Sequence, residues 1–433
     1  MQNGSSKTAL GFYIVFIVSW FLHMGSRFSF LGAARFDLLL VCVLMILAFS
    51  LGNTENNNRK TTTDTLIRVL VAYAIVTIPF VEWPGSVIGR GIPEFIKAIV
   101  FYYFTVSFVK TEADLKKLVS IFVACQLWRI LEPLYLHVTE GYWGSFASMS
   151  NWEYMNRLSG APSDIVNPNG LAFIICTVLP FLYFMAGLSR INRLIFIVAT
   201  PLCLYALILT GSRTGILGVV AIFLGILVKA KRRLVICLFG VAIVVVGFPL
   251  LSSDTQDRYL SIFGKSDKNE GTAEGRIEGV ESSFMVALRR PIFGHGLGTS
   301  REANANFAGA DQPAHNLYAE VAQELGGVGL IIFLLFLKSI YAAFAECKRV
   351  YVLSKDKSPF LTNMIDAMQV WLWLNLLFSF ASYGLNSYEW YLLGGFSVVM
   401  QRLTMANTVE NQFSNAKIIG GVHDKPLIRK IAG

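Results

Sequence analysis

The 433-residue chain is 54% hydrophobic and only 15% charged, whereas charged residues make up about a quarter of an ordinary soluble domain. Together with a mean hydropathy of +0.55, this is far too apolar for a soluble domain of this size. The formal charge of +9 falls in loops between apolar runs rather than in one patch, which argues against nucleic acid as a partner.

In chain order, about twelve apolar runs have the length of membrane helices. They cover 8–24, 36–52, 67–83, 94–109, 118–136, 169–187, 194–210, 215–230, 234–251, 317–341, 361–383 and 389–404. The first lacks a small-residue cleavage site and is followed directly by further runs, so it reads as a span and not as a signal peptide. No fixed-period repeat or low-complexity tract interrupts them. The expected fold is therefore all-α, a polytopic integral membrane protein with about 12 transmembrane helices. Helices 1–9 occupy residues 1–251, a large outward loop 252–314, helices 10–12 residues 315–404, and a tail 405–433.

Orientation follows from lysine and arginine bias. The connections "KTEADLKK" (110–117), "LSRINR" (188–193), "KAKRR" (229–233) and "KRVYVLSKDK" (348–357) are basic and alternate onto one side, with both termini, which places that side in the cytoplasm. The opposite side receives 137–168, the corner "GSRTG" and the 252–314 segment. Its short loops carry arginine only: Arg27, Arg35, Arg90, Arg157 and Arg213. A guanidinium fork suits bidentate phosphate binding. Each such arginine taken singly also reads as a residue snorkelling to the interface; the set points to an anionic ligand on the outer face.

Three stretches stand out. "LTGSRTGILG" (209–218) joins two apolar runs by a tight turn with Arg213 at its apex, which reads either as a fixed phosphate contact or as a plain helix corner. "EGRIEGVESSFMVALRRPIFGHGLG" (274–298) reads as an amphipathic helix on the membrane surface or over a cavity. Ile277, Val280, Phe284 and Leu288 mark its apolar face, Arg276 opens it, and Arg289 and Arg290 fill its last turn. The "GHGLG" end follows no strand and is not a dinucleotide loop, so His295 is expected to be a turn residue. "DQPAHNLYAEVAQELGGVGL" (311–330) starts a helix with Asp311 as N-cap and Pro313 in the first turn, which places His315 and Asn316 at the outer mouth of the tenth span. There His315 reads either as a neutral general base or as a capping or headgroup-bonding residue. Within the spans, Arg129 and Glu132 are expected to pair at i, i+3. The six cysteines show no ligand spacing and no disulfide framework. With no Asp-x-Asp near the outer face, neither metal nor cofactor is expected.

"TGSRTG" at a helix corner, then "GR…RRPIFGHGLG", then "AHNLYAEVAQELGGVGL" entering a span resembles, in that order, the O-antigen ligase and O-antigen polymerase superfamily. The resemblance implies a GT-C-like, metal-independent glycosyltransferase of the bacterial inner membrane with its active site facing the periplasm. The implied donor is a glycan on undecaprenyl pyrophosphate. The acceptor is a sugar of lipid A–core in the ligases and another lipid-linked repeat in the polymerases. By the same resemblance Arg213 and Arg276 match the family's essential arginines and His315 its essential histidine. Direct attack by the acceptor hydroxyl would invert the anomeric centre, which is the expected course. Arg289, Arg290, Asn316, Arg35 and Arg157 are the candidate substrate-binding residues. The single dominant outward loop looks ligase-like, so the ligase is the first expectation and the polymerase the second. A transporter of lipid-linked glycan is the rival of a different class, and it calls for paired half-helices and internal repeats that the sequence does not display.

Overall fold

In an apolar medium only a helix or a closed barrel satisfies every backbone N–H and C=O, and each of the apolar runs is built on a helix, the third ending at Val76 and the eleventh at Phe378. The computed structural model describes residues 2–52, 60–144, 156–230, 232–251, 253–260, 270–353, 358–382 and 384–420. The runs form α1 (Gln2–Phe21), α2 (Phe36–Gly52), α3 (Thr62–Val76), α4 (Ile92–Phe108), α5 (Glu112–Glu140), α6 (Pro168–Met185), α7 (Arg190–Thr210), α8 (Arg213–Lys229) and α9 (Arg233–Gly247). Among the described residues of the long loop three helices follow: α10 (Ser253–Leu260), α11 (Glu270–Ala287) and α12 (Ser300–Phe307). The chain then re-enters the bundle through α13 (Leu317–Leu353), α14 (Pro359–Phe378) and α15 (Tyr388–Gly420). The described residues contain no strand.

Among the described residues four helices, α5, α6, α7 and the Leu317–Val352 stretch of α13, are long and apolar enough to cross a membrane. Several others are short: α2, α4 and α8 have 17 residues each and α3 and α9 have 15. At 1.5 Å per residue these reach about 22–26 Å, less than the roughly 30 Å of a bilayer core. The run pattern thus locates the helices, while length qualifies fewer of them as spans.

Helix starts follow side-chain chemistry. Thr61 and Thr111 form capping boxes with Asp64 and Asp114, and Asn167, Ser189, Ser212 and Ser358 each accept a first-turn amide. The core centres on α6 and α14, where Phe122, Phe181 and Trp371 meet with ring centroids 5.5–6.0 Å apart. Gly215 and Gly218 let α8 approach both helices: a Cβ at Gly218 would stand 2.6 Å from the Phe378 ring and 3.0 Å from Cys176 Sγ. The outer surface keeps exposed leucine, isoleucine and valine, among them Leu194, Ile197, Val220, Leu224, Leu238 and Val241. That exposure suits a lipid surround.

Three expectations are corrected. The tenth run is broken at Gly326 (φ 67°, ψ −174°), so residues 317–325 form a short half-helix before the long apolar one. A Cβ there would meet the Ile292 carbonyl oxygen at 2.2 Å, and the left-handed φ favours glycine. The last helix runs on to Gly420 rather than ending near 404. Arg129 and Glu132 do not pair with each other. Arg129 binds Asp164 through Nε (2.6 Å) and Nη2 (3.0 Å), while Glu132 takes Arg27 in a two-pronged pair. Both choices tie a span to a loop, which an i, i+3 pair cannot do.

Asp164 also lies 3.0 Å from His23 Nε2. Burial pushes its carboxyl up, but His23 and Arg129 outweigh that and hold it down at about 2. Because the folded value is depressed, the pair stabilises the protein fully above the usual aspartate range near 3.9 and is lost as pH falls through about 2. Asp164→Asn would leave the buried Arg129 guanidinium without its counter-charge. A loss of about 3–5 kcal/mol, read as a lowered thermal midpoint in detergent at pH 7, is the expected outcome; an unchanged midpoint would remove this pair from the fold's supports.

Candidate active site

The starts of α6, α8, α13 and α15 meet the ends of α7 and α14 at one end of the bundle, around a cavity of about 660 Å³. Asn167, Asn169 and Gly170 reach it from the start of α6, Thr214 from α8, His315 from just before α13 and Leu317 from its first turn, and Ser387, Glu389 and Trp390 from the start of α15. Gly279, Ser282 and Ser283 of α11 and Asn304 of α12 form its cover. Four helix N-termini therefore open on one space. Each presents partly unsatisfied amides and the positive end of its dipole, so the cavity favours an anion.

The α7–α8 corner is as tight as the sequence implied. Gly211 adopts φ 57° as the C-cap of α7, and Ser212 caps α8 through Gly215 N at 3.2 Å. Ser212 also donates to Asn169 Oδ1 at 2.9 Å, which locks the corner to the start of α6. Arg213 sits in the first turn of α8, next to the cavity-lining Thr214. Two further arginines clasp the same corner. Arg157, buried, donates to the Thr210 carbonyl (2.7 Å) and to Asn169 Oδ1 (2.8 Å). Arg258 of α10 donates to the Gly211 carbonyl at 2.6 Å. A Cβ at Gly211 would stand 3.3 Å from Arg258 Nε and 3.6 Å from Arg157 Nε. Burial pushes the adjacent Tyr259 hydroxyl up to about 12, against the pull of Arg258 and Arg157. Arg258 was not anticipated. It lies in a polar stretch, and only its α10 placement brings it to Gly211.

His315 is exposed on the cavity wall, but not in a helix turn. Asn316 is the cap: its Oδ1 accepts from Tyr318 N (3.0 Å) and Ala319 N (3.1 Å), and its Nδ2 donates to the Phe380 carbonyl at 3.3 Å. Leu317 N donates to the Ser379 carbonyl at 2.9 Å, so α13 starts there and His315 precedes it. Asp311, expected to cap, instead holds Arg301 with two bonds of 2.7 and 2.8 Å. A shorter cap with a good amide geometry and a backbone anchor at Ser379 wins over the more distant aspartate.

The other candidates disperse. Arg289 lies over the Phe307 ring at 4.7 Å, and Arg290 Nε is 3.6 Å from Glu82 Oε2. Arg35 is exposed at the start of α2 with φ 48° and does not line the cavity. Of the other outward arginines, Arg27 serves Glu132 and Arg90 donates to the Gly298 carbonyl. α11 starts at Glu270, so Arg276 falls in its second turn and not at its opening; its side chain lies outside the described residues. The two faces of α11 also separate. Ser283, Val286 and Ala287 are buried toward the bundle, while Phe284, Met285 and Leu288 are exposed. The helix covers the cavity with its small residues and offers the larger ones outward. His295 is fully buried, with Nδ1 2.8 Å from Glu82 and Nε2 3.0 Å from the Val286 carbonyl, as a structural turn residue would be.

Residues 194–334 match the sequence profile of the O-antigen ligase family, a stretch that runs from α7 across the corner, the loop helices and His315 into α13. A relative named O-antigen polymerase, from Salmonella muenchen, is 26% identical over 223 residues, which are 49% of this chain and 53% of the relative. These matches support the O-antigen ligase and polymerase superfamily. The aligned part spans about half the length of that relative. The O-antigen ligase stretch contains Arg213, Arg258 and His315 but not Arg157, Asn169 or Glu389, which the fold adds from outside it. Among the described residues no group of histidine, cysteine and carboxylate side chains has metal-binding geometry.

Asn316 carries a test of the cap. Asn316→Ala should lower stability by about 1 kcal/mol, and Asn316→Asp should restore most of it, both read as thermal midpoints in detergent. Equal midpoints for the alanine variant and the parent would show that the Ser379 anchor alone starts α13.

Proposed function

We propose that this protein is a glycosyltransferase that moves a glycan from undecaprenyl pyrophosphate to a sugar hydroxyl at the periplasmic face of the bacterial inner membrane. The observation that carries the proposal is the convergence of four helix N-termini on one cavity that also holds His315, beside a corner bearing Arg157, Arg213 and Arg258. The family match is consistent with this reading.

A glycosyl pyrophosphate has a competent leaving group once its charge is met. The corner arginines, with Arg276 from α11, and the helix N-termini lower the energy of the departing pyrophosphate, which is electrostatic stabilisation of developing charge. The acceptor oxygen attacks the anomeric carbon from the opposite side, a carbon–oxygen bond to the acceptor forms as the bond to pyrophosphate breaks, and the configuration inverts. His315 takes the acceptor's proton. Glu389 lines the same cavity and is the rival proton acceptor, but it is buried whereas His315 is exposed to the space.

Lipid A–core is the acceptor in the first reading, which makes the protein an O-antigen ligase with membrane-bound donor and acceptor. The name of the Salmonella muenchen relative favours a second reading, in which another lipid-linked repeat accepts and the protein is a polymerase.

The experiment is reconstitution of purified protein with undecaprenyl-pyrophosphate glycan, with and without lipid A–core. Transfer that requires lipid A–core identifies the ligase, and longer lipid-linked chains without it identify the polymerase. His315→Ala and Arg213→Ala should each lower turnover by about 10²–10⁴-fold, while Glu389→Gln keeps most of it. A silent His315 variant with a dead Glu389 variant would move the base role to Glu389. A product that retains the donor's anomeric configuration would sink direct attack.

A further inference from the structure

The opposite end of the bundle holds a second cleft, of about 410 Å³, between α13 and α14. Tyr341, Ala345, Lys348, Arg349 and Val352 line it from α13, and Gln369 lines it from α14. The α13 residues fall at helical spacing on one stripe. Trp373, one turn from Gln369 on α14, meets the Tyr341 ring edge-on at 5.9 Å. The groove is thus polar at the Lys348–Arg349 end and aromatic about 12 Å along the helix, at 1.5 Å per residue. Tyr341 is 46% and Trp373 57% exposed, which leaves large rings open on the outer surface of α13 and α14.

The polar end carries excess positive charge. Lys229 and Lys348 both bind the same oxygen of Asp366, at 2.6 and 2.7 Å, and Arg349 stands exposed beside them. Two lysines thus share one carboxylate, and Arg349 adds a third cation to the lining of the cleft. Gln369 accepts from Lys229 through its Oε1, which leaves its NH₂ group as a donor.

We propose that this cleft binds an acidic phospholipid, with its phosphate between Lys348 and Arg349 and an acyl chain along Tyr341 and Trp373. Charge complementarity selects an anion, and the exposed aromatic pair on the same groove selects one that carries a hydrocarbon chain. A basic pocket between membrane helices on the lysine-rich side is the expected place for such a headgroup. The site is separate from the cavity and does not depend on the transfer reaction assigned above.

The test uses the full chain in detergent, titrated with phosphatidylglycerol bearing brominated acyl chains, which quench nearby tryptophan. Brominated phosphatidylglycerol should quench a component of the emission that Trp373→Phe lacks, at concentrations where brominated phosphatidylcholine does not. Lys348→Ala with Arg349→Ala should weaken that quenching about thirtyfold, and Arg349→Ala alone about fivefold. The single variant leaves the Asp366 ion pairs in place and so serves if the double variant fails to fold. Equal quenching by the two lipids, or unaltered quenching in Arg349→Ala, would overturn the proposal. Displacement of the brominated lipid by millimolar inorganic phosphate would overturn it too, because the cleft would then be a site for free phosphate.

Discussion

A helix that begins inside a bundle leaves its first amides without intrahelical partners, and a site with little water cannot leave them bare. Here four helices begin around one space, and side-chain oxygens answer the need: Asn167 for α6, Ser212 for α8 and Asn316 for α13. Each cap satisfies one or two amides and leaves the dipole's positive end pointing into the cavity. The same constraint that shapes the helix starts thereby creates the electrostatics of the site. The arginines add to a field that the backbone has already set.

Those arginines are held from the side rather than from below. Arg157 and Arg258 each use a carbonyl at the C-terminal end of α7, where cations complement the dipole. They are thus doubly justified by position, structurally as caps of α7 and chemically as neighbours of Arg213. Gly211 makes this possible because it takes the left-handed turn and has no Cβ to push the two guanidinium groups away. Asn169 joins the two roles, accepting from both Arg157 and Ser212.

Apolar periodicity made the helices legible in the sequence, since each run from 8–24 to 389–404 contains a helix, although the third stops at Val76 and the eleventh at Phe378. The "TGSRTG" corner was legible too, because glycine, a cap residue and arginine in so short a space permit few geometries. What the sequence did not reveal is long-range partnership. Asp164 sits in a polar loop with nothing nearby to mark it as the counter-charge of Arg129, and the i, i+3 spacing of Arg129 and Glu132 suggested a local pair instead. Arg258 looked like one charge among several in the long loop. For α11 the stripe of large apolar residues marked an amphipathic helix but not which side packs on the bundle; the structure buries Ser283, Val286 and Ala287 and exposes Phe284 and Leu288. The helix break at Gly326 was hidden by the apolar run that follows it.

That break gives the motif "AHNLYAEVAQELGGVGL" a reading residue by residue. His315 faces the cavity, and Asn316 caps the half-helix that follows. Glu320, one turn on, accepts from Gly384 N (2.7 Å) and Leu385 N (3.0 Å), which fixes the α14–α15 connection that forms part of the cavity wall. Glu324 accepts from Gly298 N (2.8 Å) and Ser300 N (3.3 Å), which fixes the "GHGLG" loop and the start of α12. Gln323 between them donates to Asn304 Oδ1 and to the Ser283 carbonyl, and so reaches the two helices that cover the cavity. Gly326 then ends the half-helix against the Ile292 carbonyl. A half-helix tied on three sides can shift little, so the buried polar residues that look out of place in a membrane segment act as clamps. Their common effect is to hold the residue just before the cap, His315, at a fixed place on the cavity wall.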